Sequence, residues 1–533
     1  QTSNDPILCL ENMLMTDYDA VIIGAGHNGL ICATYLAKAG HRVLVLDGRS
    51  EPGGCASTRE FATGFKVSDC AQWFSQFDRS INKDLNLDGA GLKLSNAKTT
   101  ISLQPDGDHL TLDGDHIAGA GVDPVDQAAY REFRKMMQRF AKLMTHLYRG
   151  RPPKLVEHNW RDRFTLMKLG LGLKMMGREY MRDMMRIVMI NIYDVMNEHF
   201  KHDALKSTVA LDAVTGTNMG PRSPNTVYSY LHRATGEFLS QTGTTQVIGG
   251  MGALGAVLAD VATKQGATLQ LDSPVASITK TDDRVSGVTL DSGEAISAKL
   301  VISSADPKTT FRDLLGYEKM EVGMARRVEH YRSRSGTAKL HLALSSLPQF
   351  TGLTDRQLGE RLVITPSMDG MERALNPMKY NEISTQHTFD ISIPSVADAS
   401  LAPANQHVLT AIVHYVPYAP DMGWEAARPQ LLTTLLAELE VYAPGIGSLV
   451  TASELIVPSD LEASHGMAGG NWNHGELSID QALMMRPFPG STQYATAVDG
   501  LYLCGAGAHP GGGLQGLPGR NAAKEILKRG ALS

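Results

Sequence analysis

Gly24, Gly26 and Gly29 stand in G-x-G-x-x-G spacing, and Asp47 follows Gly29 by 18 residues. In such a pattern the first glycine makes a tight turn, the second lets backbone N–H groups reach a pyrophosphate, and the third lets a helix pack closely on a strand. The acidic side chain is placed to accept hydrogen bonds from a ribose. The elements that must hold these groups are legible around them. Residues 20–23 are an apolar, β-branched run suited to a buried parallel strand, residues 30–39 are helical and stop at Gly40, and residues 43–46 form a second strand closing on Asp47. This βαβ unit aims a helix N-terminus at the phosphates, where the helix dipole stabilises negative charge.

A second glycine-dense stretch closes the chain. Residues 500–519 read as a strand, a turn containing Gly505, Gly507, Gly511, Gly512 and Gly513, and a helix starting near Gly516. Such density costs conformational entropy without adding packing, so something has to lie against that backbone. An isoalloxazine ring fits, because N–H groups at a helix start stabilise the charge that develops on its N1–C2=O edge on reduction. The pair Gly53-Gly54, beginning six residues beyond Asp47, resembles the flavoprotein extension of the dinucleotide fold. There the pair lets backbone approach the diphosphate and ribityl chain, with Arg49 near the adenosine phosphates; a solvated surface arginine is an equal reading. These features point to FAD rather than NAD.

The two ends together resemble the phytoene desaturase and carotenoid dehydrogenase group of FAD oxidoreductases, whose shared mark is the Gly-Ala-Gly-x-His-Pro-Gly-Gly-Gly turn. Residues 466–471, His474 and Glu476 with residues 477–481, Arg486-Pro487 and residues 220–224 are similar to the branch called pyridine nucleotide-disulfide oxidoreductase domain-containing protein 2. The likeness covers nearly the whole chain from Tyr18. It implies an α/β fold: a Rossmann-like FAD-binding domain, glutathione reductase or amine oxidase-like, with an inserted mixed α+β substrate domain and a helical lid. It implies cofactor contacts from Gly24, Gly26, Asn28, Gly29, Asp47, Gly48, Arg49, Gly53, Gly54, Ala56 and Ser57. Val275, in a segment similar to the one flanking the adenine, joins them, with Gly505, Ala506, His509, Gly513, Leu514 and Gln515 from the last turn.

The resemblance further implies a hydride passing from a substrate carbon to flavin N5, and a proton leaving the adjacent carbon to give C=C on an apolar, isoprenoid-like molecule. His474 and Glu476 are candidate proton acceptors by chemistry. Their loop, rich in Gly and Asn, suits a structural hydrogen-bond network equally. His509 follows the flavin turn directly, which favours cofactor contact over catalysis. Lys339 sits in an otherwise apolar strand; beside a flavin it would aid peroxide chemistry, while a snorkelling lysine is its plainer reading. A flavin amine oxidase, a saturase running in reverse and a flavin-bearing interaction protein are the alternatives. Disulfide oxidoreductases carry a CxxxxC pair after the first helix, which is absent here, so disulfide chemistry is not expected.

A chain of 533 residues exceeds one small core. Residues 1–16 read as an N-terminal tail, residues 17–125, 236–310 and 490–533 as a discontinuous FAD-binding domain, and residues 126–235 and 311–489 as the substrate-binding domain. The match Gly250-x-Gly252-x-x-Gly255 follows no convincing apolar strand, so it reads as a helix returning to the FAD domain rather than an NAD(P) site. A net charge of −6 argues against nucleic-acid binding. The five cysteines, Cys9, Cys32, Cys55, Cys70 and Cys504, are scattered without a CxxC, which suggests reduced thiols in a cytoplasmic compartment and no metal site.

No apolar run is long enough to span a bilayer, so the chain reads as soluble or peripheral. Between residues 131 and 186, however, 15 Lys or Arg face 5 Asp or Glu, and the helical region 162–200 carries eight methionines. Met181, Met184, Met185, Val188 and Ile192 fall on one helical face. Three readings follow: a core-facing amphipathic helix, a methionine lid over an apolar ligand, or docking on an anionic membrane. The expected partners are an apolar small molecule and an electron acceptor such as oxygen, a quinone or another carrier; a peripheral membrane contact and a homo-oligomer stay open.

Overall fold

The computed structural model describes residues 17–119, 121–154, 156 and 159–532. The expected N-terminal tail, with Cys9, lies outside them. Tyr18–Ile23 forms the middle of a seven-stranded sheet because its last four residues are apolar and buried on both faces. It pairs in parallel with Val43–Leu46 on one side and Ala295–Ser303 on the other. Thr268–Gln270 extends the parallel sheet beyond the first and Leu501–Leu503 beyond the second. The other half of Ala295–Ser303 continues into antiparallel strands Arg284–Leu290 and Val275–Thr281.

This topology brings the two chain ends together. The helix His27–Lys38 packs between Leu517–Arg529 and Gly252–Lys264. The approach is so close that a Cβ on Gly519 would stand 2.1 Å from the Asn28 carbonyl oxygen. The second glycine match is accordingly the start of a helix that returns to the nucleotide-binding sheet through Thr268–Gln270.

The second sheet has eight strands, in the order Val450–Ile456, Thr337–Leu344, His407–His414, Thr388–Ser392, Arg361–Ile364, Thr100–Ser102, Leu110–Asp113 and His116–Ala118. Alternation along its strands sets its two faces. Leu340, Leu342, Leu409 and Ala411 pack a separate core with Leu431, Leu435 and Leu439 of the helix Trp424–Tyr442. Lys339, His341 and Ile412 take the other face. Residues 100–118, expected with the nucleotide-binding domain, pair with this sheet instead. Thr100–Ser102 hydrogen-bonds in parallel to Arg361–Ile364, covering a strand edge that would otherwise be unpaired.

Helices between residues 124 and 239 close over the gap between the sheets. The methionine-rich region is three helices, Trp160–Met175, Arg178–Ile187 and Ile192–His199. Met176 and Met184 pack on the main core, whereas Met167, Met175, Met185 and Met189 are exposed. None of these methionines borders the cavity described below. That role falls to Asp203–Val214 and Thr226–Ala234, so the lid lies C-terminal to the methionine stretch.

Candidate active site

A cavity of about 580 Å³ runs from Asp47 past the N-terminal glycines to Gly512, Gly513 and Leu514, a volume typical of small-molecule and cofactor sites. Glycine is required where its backbone strands meet. A Cβ on Gly29 would lie 2.1 Å from the Gly24 carbonyl oxygen, and one on Gly54, whose φ is +60°, would lie 3.0 Å from Gly26 Cα. The Asp47 carboxylate accepts hydrogen bonds from the Ala25 N–H at 2.7 Å and the Arg49 N–H at 2.9 Å, one on each oxygen. Each oxygen keeps a lone pair that a ribose hydroxyl can use. Arg49 bends back to donate to the Gly54 carbonyl at 2.9 Å, bracing the glycine pair while bordering the cavity.

Three side chains from the same motifs, Asn28, Ser57 and Gln515, hold buried oxygens without a partner among the described residues. Orphaned buried polar atoms are rare in folded proteins. Of the three, Asn28 borders the cavity; with the glycine cradle and the Asp47 carboxylate, its free oxygen fits a polar dinucleotide lying there.

Of the residues expected to hold the cofactor, Gly24, Gly26, Asn28, Asp47, Gly48, Arg49, Gly54, Val275, Ala506, Gly513 and Leu514 border the cavity. Gly29, Gly53, Ala56, Ser57, Gly505 and Gln515 stand behind this wall. His509 requires correction. It is fully buried, away from the cavity wall, and its ring nitrogens meet the Leu483 carbonyl at 3.0 Å and the Leu147 carbonyl at 3.2 Å. Burial pushes its pKa down to about 4, so the ring is neutral at pH 7 and its one N–H donates to one of these two carbonyls.

The three catalytic candidates separate. His474 borders the cavity; its carbonyl accepts from the Tyr331 hydroxyl at 2.7 Å and its Nδ1 has no partner among the described residues. Glu476 does not border it. Both its carboxylate oxygens are taken, by Arg332 and Arg334 at 3.0 Å each, which suits a structural ion pair and not a proton acceptor. Lys339 neither snorkels nor reaches the cavity. It is fully buried and donates to Gln72 Oε1 at 2.7 Å; Gln72 in turn borders the cavity. Burial lowers the Lys339 pKa to about 8.

Sequence reasoning missed the residues that shape the far end. Trp73, Asp212, His232, Arg233, Ile412 and Trp472 come from five separate regions of the chain and meet only in the fold. Behind them Arg361 donates to Asp390 and to Asp212, each at 2.8 Å, and the Trp73 indole donates to Asp390 at 2.9 Å. Burial alone would raise the Asp212 carboxyl, but Arg233 and Arg361 outweigh it and hold it below the usual range. His232 bridges the Tyr148 hydroxyl at 2.8 Å and the Gly512 carbonyl at 3.1 Å. Arg486 was visible only as part of a motif. Fully buried, it donates to the carbonyls of Asn473, Glu476, Gln481 and Ala506, fastening the His474 loop to the glycine turn.

A parallel dinucleotide-binding sheet, a glycine cradle from both chain ends and a cavity closed by a second sheet and a helical lid define an oxidoreductase of the desaturase and amine oxidase fold. A family profile described as NAD(P)-binding Rossmann-like domain matches residues 22–85. The chain is 31% identical to pyridine nucleotide-disulfide oxidoreductase domain-containing protein 2 of Rattus norvegicus, over 97% of this chain and 94% of that one. It therefore belongs to that protein's family. It is also 25% identical to a phytoene desaturase (lycopene-forming) of Paracoccus sp., over 94% of this chain and 95% of that one. Among solved structures, cyclohexylamine oxidase from Brevibacterium oxydans shares the fold with a TM-score of 0.58 at 14% identity, covering 96% of this chain and 99% of that one.

Proposed function

We propose that this oxidoreductase is an FAD-dependent dehydrogenase or desaturase acting on an apolar, isoprenoid-like molecule. The observation that carries this reading is the cavity that joins Asp47, whose carboxylate is free to accept from a ribose, to the Gly512–Leu514 turn. When bound, FAD supplies a two-electron acceptor for a hydride from a substrate C–H. The protein's own residues do the rest. Asp47 and the glycine backbone hold and orient the dinucleotide, and Trp73, Trp472, Ile412 and Leu477 wall the cavity against water. His474, with its unpartnered Nδ1 at that wall, accepts the proton lost from the neighbouring carbon. The likeness to a phytoene desaturase supports an apolar substrate. With the second glycine match serving a structural helix, oxygen, a quinone or another carrier is the electron acceptor.

The test is anaerobic addition of isoprenoid polyenes, and separately of amines, to the FAD-loaded protein while following the oxidised-flavin absorbance. Bleaching by a polyene, reversed by air, is expected. His474→Gln should keep its FAD and slow that bleaching about 100-fold or more. Bleaching by amines alone would replace the reading with an amine oxidase. Reduction by NADPH with no bleaching by any candidate would point to a saturase.

An apolar substrate is best supplied from a lipid surface. Trp160, Phe164, Met167, Leu171 and Met175 are all exposed on the helix Trp160–Met175. At about 100° per residue they share an arc of about 80°. Arg163 and Lys174 flank it on one side, Arg161 and Lys168 on the other, a pattern suited to lying in an anionic headgroup layer. Among the described residues no helix is long and apolar enough to cross a membrane. In co-sedimentation, vesicles containing phosphatidylserine should retain the protein, and the double change Trp160→Ser with Phe164→Ser should lower partitioning at least about tenfold. Equal retention of both forms would remove the membrane from the account.

A further inference from the structure

The four cysteines among the described residues are unbridged and fall into two pairs whose thiols shift each other's titration. Cys32 and Cys504 lie in the core, each fully buried. Cys55 and Cys70, remote from any recognisable redox motif, both border the cavity. Their backbones are held side by side, with the Ala71 N–H donating to the Cys55 carbonyl at 3.1 Å. The Cys55 Sγ also meets the Met467 Sδ at 3.1 Å. Cys55 directly follows the Gly53-Gly54 pair, and His474 borders the same cavity. The neighbouring Cys70 and His474 outweigh burial and hold the Cys55 thiol well below the usual range. Cys55, together with burial, pushes the Cys70 thiol up. One sulfur is thus poised as the attacking thiolate and the other as its resolving partner.

We propose that Cys55 and Cys70 form a thiol–disulfide exchange site on the wall of the cofactor cavity, with low-molecular-weight disulfides as its oxidising substrates. The Cys55 thiolate attacks one sulfur of a small disulfide RSSR; that S–S bond breaks, a mixed disulfide forms on Cys55, and the first RS⁻ leaves to take up a proton. Cys70 then loses its proton and attacks the Cys55 sulfur, expelling the second RS⁻, which is protonated in turn. Two protein thiols are oxidised to one disulfide while RSSR is reduced to two RSH, so electrons and protons balance. Closing the bond sets the two sulfurs about 2.05 Å apart, on backbones that the Ala71–Cys55 hydrogen bond already holds side by side. The site needs no bound flavin and stands or falls separately from the desaturase reading.

The experiment equilibrates the full chain under argon with graded ratios of reduced to oxidised glutathione. The protein is then acid-quenched, alkylated after denaturation, and analysed peptide by peptide by mass spectrometry. Cys55 and Cys70 should lose alkylation together, by at least about tenfold across one two-electron transition, and appear as one linked peptide pair. Cys32 and Cys504, out of reach in the core, should stay alkylated. In Cys70→Ser, Cys55 should stop as the glutathione mixed disulfide. The proposal is overturned if Cys55 and Cys70 of the unaltered chain stay fully alkylated at every ratio. It is equally overturned if Cys55 carries glutathione while Cys70 remains free, or if Cys32 links to Cys504 at the same ratios.

Discussion

His27, His232 and His509 are each pushed down to a pKa of about 4 by burial. In the unfolded chain an imidazole takes up its proton near pH 6.5. Between those values the unfolded state binds more protons, so the stability each neutral ring contributes is complete above about pH 6.5 and is lost as pH falls through 4. Denaturation midpoints measured from pH 7 to pH 4 should therefore fall, by up to about 3 kcal/mol per histidine. His509→Gln should flatten that slope by about one proton. Asp47→Asn should weaken FAD binding by about 10- to 100-fold, because it removes the charge and one acceptor where ribose hydroxyls would bind; a fluorescence titration measures this. The placement of Asp47 and the N-terminal glycines at one cavity was legible because local spacing sets it. The burial of His509 and Lys339 was not, since their partners stand on remote elements: Lys339 meets Gln72 and His509 meets Leu147.

Two elements meet at Arg486, whose guanidinium holds the His474 loop against the final glycine turn. Arg486→Met leaves four carbonyls, three of them on buried residues, short of a donor. It should cost at least about 3 kcal/mol in chemical denaturation and loosen the turn, lowering FAD retention. The likeness to relatives flagged Arg486-Pro487 without giving its task, because a buried arginine bonded to carbonyls carries no pairing signal in sequence. The helix Gly252–Lys264 was legible, since the missing strand before it argued against a second nucleotide site. Strand pairing of residues 100–118 was not, because short strands carry no sequence record of which edge they join. The methionine stretch was legible as amphipathic helix, but its side was not: periodicity marks a face and cannot say whether core, ligand or lipid covers it.

At the scale of the whole molecule, the parallel sheet joins Tyr18–Ile23 to Leu501–Leu503 through Ala295–Ser303, so motifs at opposite ends of the chain build one cavity. That closure was legible because each end carried its own glycine signature. The far wall, drawn from the second sheet and lid, was not, because its residues come from separate regions and meet only in the fold. The account rests on this cavity holding FAD. The most direct measurement is titration of flavin-free protein with FAD, followed by flavin fluorescence and absorbance, beside parallel titrations with FMN and NADP. The account predicts saturation at about one FAD per chain, with FMN, which lacks the adenosine ribose that Asp47 would hold, binding far more weakly and NADP not competing. Failure to bind FAD, or displacement of FAD by NADP at comparable concentration, would contradict it.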